Sequence, residues 1–386
     1  MLKRFLKSLI DSLISLECRF THVESHAKRR ILILRKDTLG DYILFYPTLA
    51  AYRKKYTDTE ITLVISKLFQ SLSPLLTDFE HIIWYDAIKY SNDVFYRRRF
   101  LLNLKKQGFI IAIQPTVSRE TAGDFMIKIT DAPTRIGVHG DYTASTIKER
   151  LCSDKIYTQL ISIPNNITAE IDKNVYVVEK ITKEKINLTF PTINADLFNN
   201  LESQKILTIN ELIGKKYIII CPGSGTTFKI WPTEKFASIA DYVIENEITP
   251  IFCGSVSEKK LIVKIINQMK LKGNAIDISG CTNLPTILHL LKHSYFYFGS
   301  DTGITHLAAA IETPTICLMG GGHFGRFFPY GNLNKNKIVY DHNMTCKGDN
   351  WLCAEDIKKG DSAPCVRDIR VEDVKKEIDS MIDSLK

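Results

Sequence analysis

A chain of 386 residues is longer than one hydrophobic core usually grows, so two domains of roughly 150 to 200 residues each are expected; 45% apolar and 24% charged residues exclude disordered and fibrous classes. Fifty-one basic residues against 43 acidic ones leave a net charge of +8, which favours anionic partners. No zinc-finger, RNA-recognition or basic-zipper pattern accompanies that charge, and no nucleic acid partner is expected.

In chain order, "MLKRFLKSLIDSLISLECRF" comes first. Leu2, Phe5, Leu6, Leu9, Ile10, Leu13 and Ile14 recur at helical spacing, and Lys3, Arg4, Lys7 and Asp11 interrupt the run. Without an uninterrupted apolar core or a small-residue cleavage site it is not expected to be a secretory signal, and it is too short to span a membrane. Two readings stay open: a basic amphipathic helix lying on a membrane surface, or a helix docked on the protein itself.

From residue 31 short apolar runs alternate with helix-length segments. Strands are expected at 31–35, 61–65, 81–85, 109–113 and 134–138, with helices at 41–56 and 94–107 between them. A polar, irregular region near 190–212 joins this half to a second series, with strands at 216–221, 249–253, 275–278, 295–298 and 314–318. Helices fit at 233–246, 256–271, 283–292 and 303–311. The expected fold is α/β, with two doubly wound, Rossmann-like domains facing a cleft. An amphipathic segment (1–30) precedes the first domain (31–200), and the second (201–370) is followed by a C-terminal helix (371–386). In such sheets ligands bind beyond the carboxyl ends of the strands.

Five segments carry residues suited to chemistry there. In "LRKDTLGDYILFYP", Asp37 and Asp41 stand where a buried strand hands over to a helix, as turn or cap residues, as a divalent-metal pair, or with Asp41 as a general base. In "CPGSGTTFKIWP", Gly223, Ser224 and Gly225 would let an anion approach backbone amides, and Thr226, Thr227 and Lys229 add donors and charge. The spacing is not that of a Walker A loop, and a plain glycine turn is the bland alternative. Thr233 is expected to cap the helix that follows, with Glu234 in its first turn.

In "FGSDTGITHLAAAIETPT", Asp301 or Thr302 would cap a helix with Gly303 in its first turn and His306 in the next, an amide end that attracts phosphate. The alternative is an ordinary capped helix with a surface histidine. In "FCGSVSEKK", Glu258 either accepts from ribose hydroxyls or favours a helix dipole. Cys346, Cys353 and Cys365 lie in a polar segment with His342 upstream, a tetrahedral metal set without the usual CxxC pair; free thiols or a local disulfide are the alternatives. The other cysteines are scattered, three of them in apolar strand-like runs, which fits a reducing compartment. No GxGxxG follows the first strand, so a dehydrogenase is disfavoured.

Together "ILILRKDTLGDYILFYPTLAAYRKKY", "CPGSGTTFKIWPTEKFASIA", "FCGSVSEKK", "ISGCTNLPTILHLLKHSYFYFGSDTGITHLAAAIETPTICLMG" and "CVRDIRVEDV" resemble, in order, the heptosyltransferase family, glycosyltransferase family nine. The resemblance implies a glycosyltransferase-B fold, with the acceptor on the N-terminal half and a nucleotide sugar on the C-terminal half. It further implies inverting transfer from ADP-heptose to a lipid-linked or lipopolysaccharide core acceptor at the cytoplasmic face of the inner membrane, where contact with an anionic membrane is expected. The nucleotide-diphospho-sugar is a co-substrate, and no metal or other cofactor is implied.

Carried over by position, Asp41 becomes the base, and Lys229 with Ser224 binds the diphosphate, Gly225 and Thr226 lying on the same donor loop. Asp301, Thr302, Gly303 and His306 line the sugar-diphosphate pocket, and Glu258 holds the ribose. Departures are "GHFGRFFPYG", where relatives have a more polar loop, the cysteine spacing, and the segment ahead of residue 31. A nucleotide-sugar epimerase and a non-catalytic nucleotide-sugar-binding protein are the competing readings.

Overall fold

The computed structural model describes residues 2–187, 190–198, 215–353, 357–358 and 360–386. Most of the expected junction near 190–212, with the 200/201 boundary, lies outside the described residues. The chain divides into two compact units: Met1–Thr38, Thr48–Ile167 and Asp172–Leu188 form the first, and Leu39–Pro47, Thr168–Ile171 and Thr189–Lys386 the second.

The first unit is built on six strands: β1 (Arg29–Arg35), β2 (Thr59–Ser66), β3 (His81–Tyr85), β4 (Ile111–Gln114), β5 (Thr134–Val138) and β6 (Gln159–Ile161). Their order is β3-β2-β1-β4-β5-β6, all parallel, with Ile31 opposite both Ile61 and Ile111. Ile31 to Leu34 are inaccessible to solvent, as an unbroken apolar run requires when helices cover both faces of a sheet. The helix Leu2–Phe20 docks on this unit through Ile14 and Cys18, and an Asp11–Arg97 ion pair at 3.3 Å fastens it.

The second unit repeats the design with β7 (Tyr217–Cys221), β8 (Thr249–Phe252), β9 (Ile276–Asp277), β10 (Tyr297–Ser300), β11 (Thr315–Leu318) and β12 (Asn336–Val339), again all parallel. The order β12-β11-β10-β7-β8-β9 reverses between β7 and β10. That reversal is the switch point at which doubly wound sheets open a crevice for ligands. Trp231, Phe236, Phe252 and Phe298 fill the core behind it.

Several elements differ from expectation. The single helix at 41–56 is two, Leu39–Phe45 and Leu49–Lys55, separated by a 3-10 turn at Tyr46–Thr48, because Pro47 cannot donate in a helix interior. β10 begins at Tyr297 instead of 295, Tyr295 being held ahead of it by its N–H donated to Tyr217 O at 2.8 Å. Strands β6 and β12 and the helices Ala87–Asn92, Thr121–Thr130, Ile147–Asp154 and Glu170–Thr182 are additional.

Candidate active site

The loops after β7 and β10 meet at the switch point of the second unit. Ser300 Oγ donates to Pro222 O at 3.1 Å and Thr305 Oγ1 to Ser300 O at 2.6 Å, so the two loops and the helix Gly303–Ala310 are stitched together by buried hydroxyls. Asp301 follows immediately. Its carboxylate does not cap the helix, as the sequence suggests; it faces His323 Nδ1 at 3.2 Å, Lys229 Nζ at 3.6 Å and His306 Nε2 at 3.7 Å. Thr302 holds the cap position with extended backbone but makes no side-chain capping bond.

Burial alone would raise the Asp301 carboxyl. Hydrogen bonding from His306 and His323 and the Lys229 charge outweigh that and hold it well below the usual carboxylate range. His323 is pushed below the usual histidine value by burial, with the Lys229 charge adding to the effect and Asp301 opposing it. Its Nδ1 is 2.9 Å from Lys229 Nζ. An ammonium only donates, so neutral His323 accepts from Lys229 there; the same nitrogen can donate to Asp301 only when it carries the proton.

Lys229 closes a short 3-10 turn, Thr227–Lys229, and sits two residues ahead of Trp231. The indole of Trp231 is fully buried and donates from Nε1 to Ile369 O at 3.1 Å, anchoring the loop from below. Above it the Lys229 ammonium lies over the Trp351 ring, 5.3 Å from its centroid. Ser224 is half-buried, while Gly225 and Thr226 are exposed, and a side chain at Gly225 would meet open space. Thr233 is not the cap of its helix. Pro232 holds that position, and proline at the entry fixes the turn without a side-chain bond.

Asp41 lies half-buried in the first turn of the helix Leu39–Phe45, which belongs to this second unit and packs on the helix Gly303–Ala310. Gly40 lies within this helix. A Cβ there would stand 2.7 Å from His306 Cδ2, and one at Gly303 would stand 2.7 Å from Leu39 Cβ. The two glycines let the helix ends cross at contact distance. His306 is no surface residue; it is buried at 3% exposure and stacked on Tyr330, with ring planes 5° apart. Asp37, in the first unit, is held by Arg35 at 2.7 Å and by the Thr116 hydroxyl at 3.3 Å.

Glu258 receives Ser255 N at 2.6 Å and Ser255 Oγ at 2.7 Å in a capping box, while its other oxygen packs against Gly223 so closely that a Cβ there would overlap it. The carboxylate therefore borders the loop after β7.

The C-terminal cysteines converge. The ligand atoms of Cys346, Asp349 and Cys353 lie within 4.8 Å of one another, and Cys365 Sγ accepts from Gly321 N at 3.3 Å beside Cys346. Asp349 takes the place expected of His342, whose ring packs on Tyr340. All nine cysteines are free in this structure. Burial first, then Asp349, pushes the Cys353 thiol up to about 12, and burial pushes Cys365 to about 11. Two thiols and a carboxylate are a donor set suited to zinc or a similar borderline-soft cation.

The sequence reading missed His323 and Trp351, which complete the surroundings of Lys229. A signal existed in "GGGHFGRFF", where His323 follows three glycines just beyond β11 and its polar ring has no apolar partner spacing to explain it.

The second unit is doubly wound, and the loop after β7, Lys229 and the N-terminus of the helix Gly303–Ala310 meet at its switch point, where such sheets bind ligands. The model of glycosyltransferase family 9 (heptosyltransferase) matches residues 98–352, and the chain belongs to that family; it is a glycosyltransferase. Among curated proteins it is 22% identical over 307 residues to the Escherichia coli lipopolysaccharide heptosyltransferase 3, covering 76% of this chain and 84% of that one. Among solved structures, the E. coli ADP-heptose lps heptosyltransferase II superposes with a TM-score of 0.69 at 15% identity, over 92% of this chain and 99% of that one. The E. coli heptosyltransferase WaaC with ADP-2-deoxy-2-fluoro heptose gives 0.60 at 16% identity, over 91% and 99%. The shared fold is the glycosyltransferase-B fold.

Proposed function

We propose that the protein transfers heptose from ADP-heptose, with inversion, onto a lipopolysaccharide core or related glycan at the cytoplasmic face of the inner membrane. The family supports the reaction class, and the named relatives support lipopolysaccharide and the ADP-linked donor. The observation that carries the reading is the Lys229–Asp301–His323 cluster beside the N-terminus of the helix Gly303–Ala310, with Asp41 on the helix packed against it.

The acceptor hydroxyl attacks the anomeric carbon from the face opposite the diphosphate. The C–O bond to the leaving diphosphate breaks, and the hydroxyl proton passes to Asp41. Negative charge then grows on the diphosphate, where the Lys229 ammonium, Ser224, Thr226 and the first-turn amides at Thr302 and Gly303 stabilise it more strongly than in the ground state. Asp301 and His323 keep the lysine in place, and Glu258 borders the ribose. Gly225 leaves the loop open for the phosphates.

The test is a panel of nucleotide sugars assayed for hydrolysis and for transfer to extracted core oligosaccharide. Asp41→Asn should keep donor affinity and lose about 10²–10⁴ in kcat. Lys229→Ala should lose about 10²–10³. Tight donor binding without turnover in the unaltered protein would overturn the reading.

A further inference from the structure

The C-terminal cysteines take no part in the proposed reaction, yet they lie against the residues that carry Lys229. After β11 the chain runs through Gly320, Gly321 and Gly322, and the segment 346–353 folds onto these glycines: Gly348 N donates to Gly321 O at 2.8 Å and Asn350 N to Gly322 O at 3.0 Å. A Cβ at Gly320 or Gly322 would collide with the Trp351 ring, and one at Gly321 with Cys346 Sγ. Trp351 packs on Phe228, ring centroids 5.1 Å apart, with the Lys229 ammonium over its face. Ala363 N donates to Phe228 O at 2.8 Å, two residues ahead of Cys365. Asn350 and Trp351 both have left-handed backbone, with φ of 54° and 66°, a conformation that side-chain-bearing residues hold only where their surroundings enforce it.

Four donors surround that turn. The ligand atoms of Cys346, Asp349 and Cys353 lie within 4.8 Å of one another, and the Cys365 thiol shares a hydrogen bond with that of Cys346. Tetrahedral zinc, with Zn–S near 2.3 Å, needs sulfurs about 3.8 Å apart, so small movements of side chains close the set. The donors are already oriented from outside. Asp349 accepts from Trp351 N at 2.9 Å and from Cys353 N at 3.4 Å, and Gly321 N donates to Cys365 Sγ at 3.3 Å, the kind of bond that fixes metal ligands. Lys347, the nearest cation along the chain, reaches instead over the rings of Phe324 and Tyr340. Cysteines packed only as small hydrophobes have no use for a carboxylate among their sulfurs.

We propose that Cys346, Asp349, Cys353 and Cys365 bind a divalent cation of zinc's class, which clips the segment 346–353 to the helix Pro364–Arg367 and so seats Trp351 against Phe228 and Lys229. The three thiol protons leave to solvent as the cation binds. Four protein donors fill the tetrahedron, so the cation is structural and no step of the reaction passes through it. The proposal does not depend on the transferase reading, and its readouts are metal content, thiol reactivity and tryptophan emission.

The full chain is purified without chelator, loaded with zinc and passed through gel filtration before metal analysis; about one zinc per chain should be retained. Zinc should slow alkylation of Cys346 and Cys353, read peptide by peptide in a mass spectrometer, by about tenfold or more, while the exposed Cys152 and Cys281 react as before. Cobalt in place of zinc should give the visible bands of a tetrahedral thiolate site. Cys353→Ser should weaken zinc binding by more than the roughly 10–100-fold of a lost outer-shell partner, and Cys281→Ser should leave it unchanged. Chelation should shift the tryptophan emission, and Trp351→Phe should keep the metal and remove that shift. No retained zinc, equal protection of all four thiols, or a Cys346–Cys365 disulfide in place of the metal would each overturn the proposal. An emission shift that persists in Trp351→Phe would overturn the seating of Trp351. The alkylation pattern comes from the unaltered chain, so it decides the matter even where a variant fails to fold.

Discussion

Gly40→Ala separates packing from helix propensity at the proposed site. In an ordinary helix interior, replacing glycine with alanine gains about 1 kcal/mol. Here the new methyl would stand 2.7 Å from His306 Cδ2 and 3.2 Å from Nε2, against about 3.5–4.0 Å for a relaxed contact, so the ring must recede by about 1 Å. It has little room to do so, being buried, stacked on Tyr330 and edge-on to Phe328. Overpacking of this kind costs about 1–3 kcal/mol, which outweighs the propensity gain, and a net loss of about 1–2 kcal/mol is expected. Urea unfolding of Gly40→Ala, His306→Ala and the double variant measures it. Once the imidazole is gone the methyl has space, so Gly40→Ala should become neutral or stabilising in that background, giving a coupling of about 2 kcal/mol. A stabilised single variant with no coupling would refute the close crossing of the two helices.

Asp301→Asn should change how stability depends on acid. The folded carboxyl lies below its unfolded value, so the stability it contributes is complete above about pH 4 and is lost as pH falls further; the gap between parent and variant should shrink from pH 5 to pH 3. A gap that stays constant in denaturant midpoints would count against the assignment. In the first unit, Asp124 accepts from Arg119 Nη1 at 3.0 Å and from Tyr157 OH at 2.6 Å, with Arg119 wholly buried. Asp124→Ala strands much of that charge and should cost about 3–5 kcal/mol, nearer the lower figure because Asp154 still pairs with Arg119. Chemical denaturation reads it, and a loss under 1 kcal/mol would show the pair to be dispensable.

The sheets were legible because parallel strands buried on both faces leave continuous apolar runs, such as "ILIL" in β1 and "YIIIC" in β7. Edge strands leave less. β6 has three residues and β12 four, and half of the latter are only partly buried, so neither stands out from a loop. At the site, Lys229, Asp301 and His306 were legible from spacing after predicted strands, but their relations were not. Whether Asp301 caps a helix or faces Lys229 and the two imidazoles depends on His323, which arrives from a loop beyond the next strand. The close approach at Gly40 and Gly303 was not legible for the same reason: a crossing of two helices far apart in sequence leaves no local trace.

That crossing bears on the chemistry. The helix Leu39–Phe45 follows β1 along the chain, yet it is part of the second unit, fixed to the helix Gly303–Ala310 at two points where neither partner has a spare methyl's width. Leu44 adds an apolar contact with the cluster of Ala309, Cys317, Phe328 and Tyr330. Side-chain rotation cannot relax a contact made by a glycine backbone, so Asp41 is carried on a rigid mount shared with His306 and, through Asp301, with Lys229. The spacing between Asp41 and Lys229, the base and the cation of the proposed reaction, is therefore set by packing inside one unit. Preorganisation of that kind lowers a barrier because the dipoles and charges need not be rearranged as the transition state forms.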